Sequence, residues 1–244
     1  MYSRHDFPDA ISHRGLHTLA PENSIPAFLA AIEAGADGIE LDVHASADNV
    51  VFVHHNPAIR PAGGGEQDAR PIAGLDSSDI ATIRLSVDVA IPTLDDVLEV
   101  IGSSARVFIE IKAEGIEETV SRCLRRHPVN ADNYAVHSFD HRTTKRVLEL
   151  NPSVRTGVLQ VSRLVDSCGA MRAAGASDLW QHSDFIDASL VIDVHACGGR
   201  VIAWTPNDES VWTTLAAARV DGICTDRVDA YVGWRSAQKA AAAD

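Results

Sequence analysis

The chain has 244 residues, of which 45% are hydrophobic and 23% charged, and its formal charge is −13. That length supports a hydrophobic core of ordinary size in a globular protein, and no apolar run approaches the ~20 residues a membrane span needs. The acidic balance excludes nucleic acid as a partner and argues against stable association with an anionic membrane. The opening MYSRHDFPDAIS lacks the apolar core of a secretory leader, so a cytoplasmic location is the expectation. Cys123, Cys168, Cys197 and Cys224 are far apart, with no C-x-x-C pair among them. They read as reduced thiols.

In chain order, β-rich runs alternate with helical patterns. Strands are predicted over 10–13, 38–43, 50–54, 107–112, 134–138, 156–160, 178–182, 201–205 and 222–225. The first helix follows Asn23-Ser24, either of which can cap it; Pro26 lies in its opening turn and Gly35 ends it. Later helices are predicted over 94–101, 116–126, 141–150, 190–197, 211–218 and 230–240. The stretch 58–71, with its Gly-Gly-Gly run, reads as a mobile surface loop, either a flexible connection or a lid over the site. It is no phosphate loop, because no Gly-Lys-Ser/Thr follows.

Repeated βα units imply a parallel sheet covered by helices, but nine strand candidates are one too many for an eight-stranded barrel. The six-residue link after Val43 is too short for a parallel crossover and long enough for an antiparallel hairpin, and Asp48-Asn49 supplies its turn. The expected fold is therefore α/β: a single-domain (β/α)8 TIM barrel over 1–244 with an extra antiparallel hairpin arm after the second strand. The active site would lie at the C-terminal ends of the strands.

The residues at those ends suggest a chemistry. Glu40 and Asp42, two apart on a strand, point to one face. Glu110 and Lys112 repeat that geometry. Carboxylates crowded into a barrel mouth call for a positive charge between them, and oxygen-only ligands suit a hard cation such as Mg²⁺ or Ca²⁺, with Mn²⁺ also admitted. His13 ends the first strand and can exchange protons near neutral pH. Arg14 offers a planar fork to phosphate oxygens, and Gly15 lets the backbone approach a ligand. Alternation places one of His54 and His55 inside, and the pattern alone does not choose between them. His44, His137, His182 and His195 read as structural or surface histidines. Trp204 stands at a strand end as a candidate wall of the substrate pocket.

Taken together, His13-Arg14-Gly15, Pro21-Glu22-Asn23-Ser24, Glu40-x-Asp42, the His55 region, Ile91-Pro92-Thr93-Leu94, Glu110-x-Lys112, Ser138-Phe139, Trp204-Thr205-Pro206-Asn207 and the run 221–226 (DGICTD) resemble the glycerophosphodiester phosphodiesterase family. The resemblance covers nearly the whole chain. It implies His13 and His55 as the catalytic pair, Glu40, Asp42 and Glu110 as metal ligands, and Arg14 and Lys112 as phosphate holders. The implied reaction is metal-dependent hydrolysis of a small glycerophosphodiester to glycerol 3-phosphate and an alcohol. The family usually has His-Asp-Pro where this chain has His55-Asn56-Pro57, which selects His55 over His54 and removes a carboxylate beside it. Leu16-His17 is bulkier than the family's usual residues there. Two other readings accompany this one: a lysophospholipid- or sphingomyelin-type phosphodiesterase, and a catalytically silent binding barrel.

Overall fold

The structure is a computed structural model and describes residues 7–127 and 133–243. Residues 1–6, half of the segment read for a leader, lie outside that range. The elements in chain order are β1 (Asp9–His13), α1 (Ile25–Glu33), β2 (Gly38–Ala45), β3 (Val51–Val53), β4 (Ala58–Ile59), β5 (Arg70–Pro71), α2 (Ser77–Ile80), β6 (Arg84–Ser86), β7 (Val89–Ala90), α3 (Leu94–Ile101), β8 (Arg106–Ile111), α4 (Glu117–Arg126), β9 (Tyr134–Ser138), α5 (His141–Leu150), β10 (Arg155–Gln160), α6 (Gly169–Ala174), β11 (Asp178–His182), α7 (Ala188–Ala196), β12 (Arg200–Trp204), α8 (Glu209–Ala217), β13 (Gly222–Thr225) and α9 (Val228–Ala243).

Eight parallel strands run in the order β1-β13-β12-β11-β10-β9-β8-β2, and the pairing of β1 with β2 closes the barrel. β3 is the hairpin arm, antiparallel to β2 with Val43 opposite Val53. The two-residue period of each strand divides its side chains between two cores. Outward residues such as Ile39, Leu41, Val43, Val107 and Ile109 pack under the helices. Inward residues Ile11, Phe108, Ala135, Leu159, Trp180, Ile202 and Cys224 fill the barrel. Phe108 and Trp180 meet edge to face at 5.3 Å. Trp180 fits because residue 157 has no side chain: a Cβ there would come within 2.8 Å of the indole. Truncating either ring would cost about 3–5 kcal/mol.

Three local expectations need correction. Ser24, and not Asn23, caps α1, its hydroxyl accepting from the Ala27 N–H; Asn23 turns its amide elsewhere. The stretch 58–71 is ordered by the β4–β5 ladder. Ile59 and Ile72 are fully buried there, with Phe52, Leu75, Ile80, Ile83 and Ile91, in a small lobe beside the hairpin arm. Glycines made the stretch look irregular, but the isoleucines flanking them anchor it. Finally, Cys168 and Cys197 form a disulfide, while Cys123 and Cys224 are free and buried. The paired cysteines are 29 residues apart in sequence, and that separation spans one βα unit: the start of α6 and the end of α7 meet on the barrel surface. Disulfides belong mainly to oxidising compartments, so the wide cysteine spacing no longer supports a reducing one. Among the described residues no helix is long and apolar enough to cross a membrane.

Candidate active site

Continuing the strand parity one step beyond the inner core brings the side chains of the C-terminal mouth into view. On β1, β2, β8 and just past β13 they are His13, Glu40, Asp42, Glu110, Lys112 and Asp226. On β9 to β12 the corresponding positions are Phe139, Val161, His182 and Trp204. Half of the rim is charged and the other half is apolar and aromatic. Trp204 meets Phe139 and His182 edge-on, with ring centres 5.6 and 5.1 Å apart. Phe139, Val161 and, in the same loop, Val165 are exposed.

On the charged half, Asp42 is fully buried and receives Lys112 Nζ at 3.1 Å and Arg14 Nε at 3.1 Å. The Asn23 amide donates to it at 2.8 Å and accepts from its backbone N–H at 3.2 Å. Burial works to raise its pKa, but Lys112, Arg14 and the Asn23 bond outweigh burial and hold the carboxyl below its ordinary value. Lys112 also reaches Glu110 at 2.7 Å. Glu40 and Glu110 behave differently. Burial, then the nearby carboxylates Asp42 and Glu110, push Glu40 well above its usual range. Burial, with Asp42 adding to it, pushes Glu110 up to about 7. Glu40 Oε2 is buried without a hydrogen-bond partner, its nearest basic group being His13 Nε2 at 3.9 Å.

Arg14 reaches Asp42 from an αL backbone conformation, φ 58°, and Gly15 follows at φ +83° with Ala27 packed where a Cβ would sit. The turn therefore depends on that glycine. His55 lies on the return side of the hairpin arm. Burial lowers its pKa, with Asp42 opposing and Arg14 and Lys112 reinforcing the shift. Its Nδ1 is 3.0 Å from the Asn56 amide oxygen. His54 lies nearby and donates its backbone N–H to Asp42 O at 2.9 Å.

The sequence reading missed four residues of this site. His137, read as structural or surface, lies inside the barrel: it stacks on Trp180 at 4.1 Å and brings Nε2 to 3.8 Å from Glu40 Oε1. Burial drives its pKa down to about 3, so it is a neutral imidazole. Parity could have found it, because His137 pairs in register with Glu110. Asp226 accepts from His13 Nδ1 at 2.6 Å and from Asn207 Nδ2 at 2.7 Å. Asn23 reaches Asp42 through an αL turn (φ 55°) that no pattern announces. Of the residues named from sequence, His13, Glu40, Glu110 and Trp204 line one recess of about 210 Å³ together with His137 and Trp180; Asp42, Arg14 and Lys112 adjoin it through the Lys112–Glu110 and Asp42 ion pairs, and His55 is not among its lining residues. His195 is structural, as read, bonded to Asp221 at 2.8 Å.

Glu40, Glu110 and His137 each offer one ligand atom, all within 4.8 Å of one another. The residues fit a divalent cation: three buried carboxylates face only one guanidinium and one ammonium, and burial together with the neighbouring carboxylates pushes two of the three carboxyls above their usual range.

A closed (β/α)8 barrel with carboxylates, imidazoles and two cations at its C-terminal mouth defines a hydrolase-type site for an anionic substrate. The glycerophosphoryl diester phosphodiesterase family model matches residues 13–230, and the chain belongs to that family. It is 31% identical over 226 residues to a glycerophosphodiester phosphodiesterase of Caldanaerobacter subterraneus subsp. tengcongensis, covering 88% of this chain and 93% of that one. Among solved structures it is similar to an Oleispira antarctica phosphodiesterase in complex with the product sn-glycerol-3-phosphate (TM-score 0.81, 23% identity, 94% of this chain and 97% of that one). It is likewise similar to a glycerophosphodiester phosphodiesterase of Agrobacterium tumefaciens (TM-score 0.81, 24% identity, 93% and 100% covered). At that identity the structural likeness establishes the fold.

Proposed function

We propose that the chain hydrolyses small glycerophosphodiesters to glycerol 3-phosphate and an alcohol, with a divalent cation held by Glu40, Asp42 and Glu110. The observation that carries this is the charged half-rim, where an excess of buried carboxylate stands beside two fixed cations and two histidines. Mg²⁺, Ca²⁺ or Mn²⁺ suits the oxygen donors, and once bound it supplies Lewis-acid polarisation of a phosphoryl oxygen. His137 Nε2 adjoins the carboxylates as a neutral nitrogen donor. Arg14 and Lys112 would give up part of their hold on Asp42 to take the phosphate oxygens and stabilise charge gathering there. One of His13 and His55 accepts the proton of the attacking hydroxyl, and the other protonates the leaving alcohol. Trp204 walls the pocket on the apolar side.

The apolar half-rim favours a second reading in which the substrate bears a hydrocarbon chain, as in a lysophospholipid; the exposed Phe139, Val161 and Val165 would line its path. A ³¹P NMR panel of glycerophosphocholine, glycerophosphoethanolamine and a lysophosphatidylcholine separates the two. Glycerol 3-phosphate from the first pair supports the leading reading, lysophosphatidate from the third supports the other, and no turnover leaves a binding barrel.

A further inference from the structure

The two histidines of the proposed reaction are backed by different acceptors. His13 Nδ1 lies 2.6 Å from a carboxylate oxygen, Asp226 Oδ1. His55 Nδ1 lies 3.0 Å from an amide oxygen, Asn56 Oδ1. An ionised carboxylate only accepts, so the hydrogen of a neutral His13 sits on Nδ1, and Nε2, on the Glu40 side at 3.9 Å from Oε2, carries the lone pair. Asp226 is ionised: although burial opposes it, its bonds with His13, Asn207 and His17 keep its pKa far below the usual carboxylate range.

Asp226 is itself held in one orientation. Its backbone N–H and the Thr225 hydroxyl donate to Asn207 Oδ1 at 2.9 and 2.8 Å. A backbone N–H cannot accept, so the Asn207 amide nitrogen must face the other way, where it donates to Asp226 Oδ2 at 2.7 Å. His17, the bulky residue after the His-Arg-Gly turn, donates Nε2 to the same Oδ1 that serves His13, at 3.2 Å. Thus one oxygen of Asp226 is committed to two histidines and the other to Asn207.

We propose that Asp226 is a positioning residue that locks His13 in the Nδ1–H tautomer and makes it the general base, leaving His55 as the acid, with Asn207 setting the orientation of Asp226. This rests on the phosphodiesterase reading. In the step so assigned, the attacking O–H gives its proton to His13 Nε2 while its oxygen bonds to phosphorus. The bond from phosphorus to the leaving oxygen breaks, and that oxygen takes a proton from His55. The imidazolium formed on His13 then lies against a carboxylate, whereas His55 has only an amide behind it, with two cations nearby.

The lock makes a specific prediction. In Asp226→Asn, Asn207 still presents its amide nitrogen, so the introduced carbonyl oxygen turns to Asn207 and the introduced NH₂ turns to His13. Nδ1 must then accept, and the hydrogen moves to Nε2. Turnover should fall by about 10²–10⁴-fold with KM little changed, the range of general acid–base catalysis, whose upper end is the effect of a reversed tautomer in a serine-protease triad. ¹⁵N ring-nitrogen NMR should show His13 change from the Nδ1–H to the Nε2–H form. Adding Asn207→Asp reverses the logic: the new carboxylate accepts from the amide at 226, whose oxygen returns to His13, restoring the Nδ1–H signature and at least about tenfold of the lost turnover. His17→Gln, which removes only the longer bond, should cost less than Asp226→Asn. An unchanged His13 tautomer in Asp226→Asn, or a double variant no better than the single, would overturn the proposal. A parent protein that shows the Nδ1–H form but turns over no phosphodiester would instead overturn the reaction reading and leave the lock in place.

Discussion

Two buried ionic clusters sit at opposite ends of this barrel and differ in how their charges balance. At the base, Asp178 opens β11 between Arg155, at 2.5 and 3.2 Å, and Arg200, at 3.0 Å twice. Burial tends to raise its pKa, but Arg200 and Arg155 outweigh burial and hold the carboxyl below its usual value. At the mouth, Glu40, Asp42 and Glu110 share Arg14 and Lys112, and Glu40 and Glu110 are pushed up. At the base two guanidinium groups outnumber the one carboxylate between them, so its negative charge is fully met by the chain's own side chains. At the mouth the three buried carboxylates outnumber Arg14 and Lys112 even before Asp226 is counted, and a divalent cation would meet that excess of negative charge. Where a fold leaves buried charge unbalanced, that imbalance is a better pointer to function than burial or ion pairing alone.

The sharpest break between the two clusters comes from the histidines. His13→Ala or His55→Ala should cut turnover by about 10²–10⁴-fold, with Mn²⁺ affinity by calorimetry and urea stability close to the parent. Unchanged turnover would remove that residue from the pair. The base should behave in the opposite way. Asp178→Asn leaves two guanidinium groups against an amide and should cost about 3–5 kcal/mol in urea unfolding, with turnover per folded molecule unchanged. Because the Asp178 pKa is lowered on folding, its contribution is complete above the unfolded carboxyl value of about 3.9 and is lost as the pH falls further. The stability gap between parent and variant should therefore close in acid.

Glu110 gives the reverse sign. Its carboxyl is raised to about 7 on folding, so between the unfolded value of about 4.3 and that point the folded state binds more protons. Metal-free protein should then lose stability as the pH climbs through this window, by a few kcal/mol at most on the order of magnitude set by the shift. Thermal melts from pH 5 to 8 should show the slope in chelator, lose most of it in saturating Mg²⁺, and lose part of it in Glu110→Gln. A slope indifferent to both would mean that the mouth carries no unbalanced charge.

Smaller effects belong to the apolar side and to Asn56. Trp204→Ala should lower kcat/KM by roughly tenfold, the loss of one apolar contact, with an extent that depends on the alcohol and metal affinity unaltered. Asn56→Asp should change turnover by less than about tenfold, since the amide oxygen already accepts from His55 and exchanging one acceptor for another is worth about 1 kcal/mol. A larger gain would show that the missing carboxylate limits this enzyme.

Much of the barrel was legible because its signals are local: the βα alternation, the inward Glu-x-Asp parity of β2, and a six-residue link that only a hairpin can use. The site residues read from those strands, His13, Glu40, Asp42, Glu110 and Lys112, come together as parity requires. Less legible was whatever depends on which strands become neighbours. His137 looked like one more histidine until β8 and β9 paired and aligned it with Glu110. Asp226 lies 213 residues beyond His13 and meets it only when β13 closes on β1, with Asn207 bonded behind it. The Cys168–Cys197 bridge likewise needs two consecutive helices laid side by side, and α6 is six residues long, too short for a helical period to show.

In the proposed reaction, binding of a divalent cation that meets the charge deficit at the mouth is the step on which phosphodiester cleavage depends. Its most direct test is ³¹P NMR of glycerophosphocholine with the purified protein, first in chelator and then with Mg²⁺, Ca²⁺ or Mn²⁺ added back. A glycerol 3-phosphate resonance should grow only after a metal is added, and none should come from His13→Ala. Turnover that persists in chelator, or none with any of the three metals, would contradict that dependence.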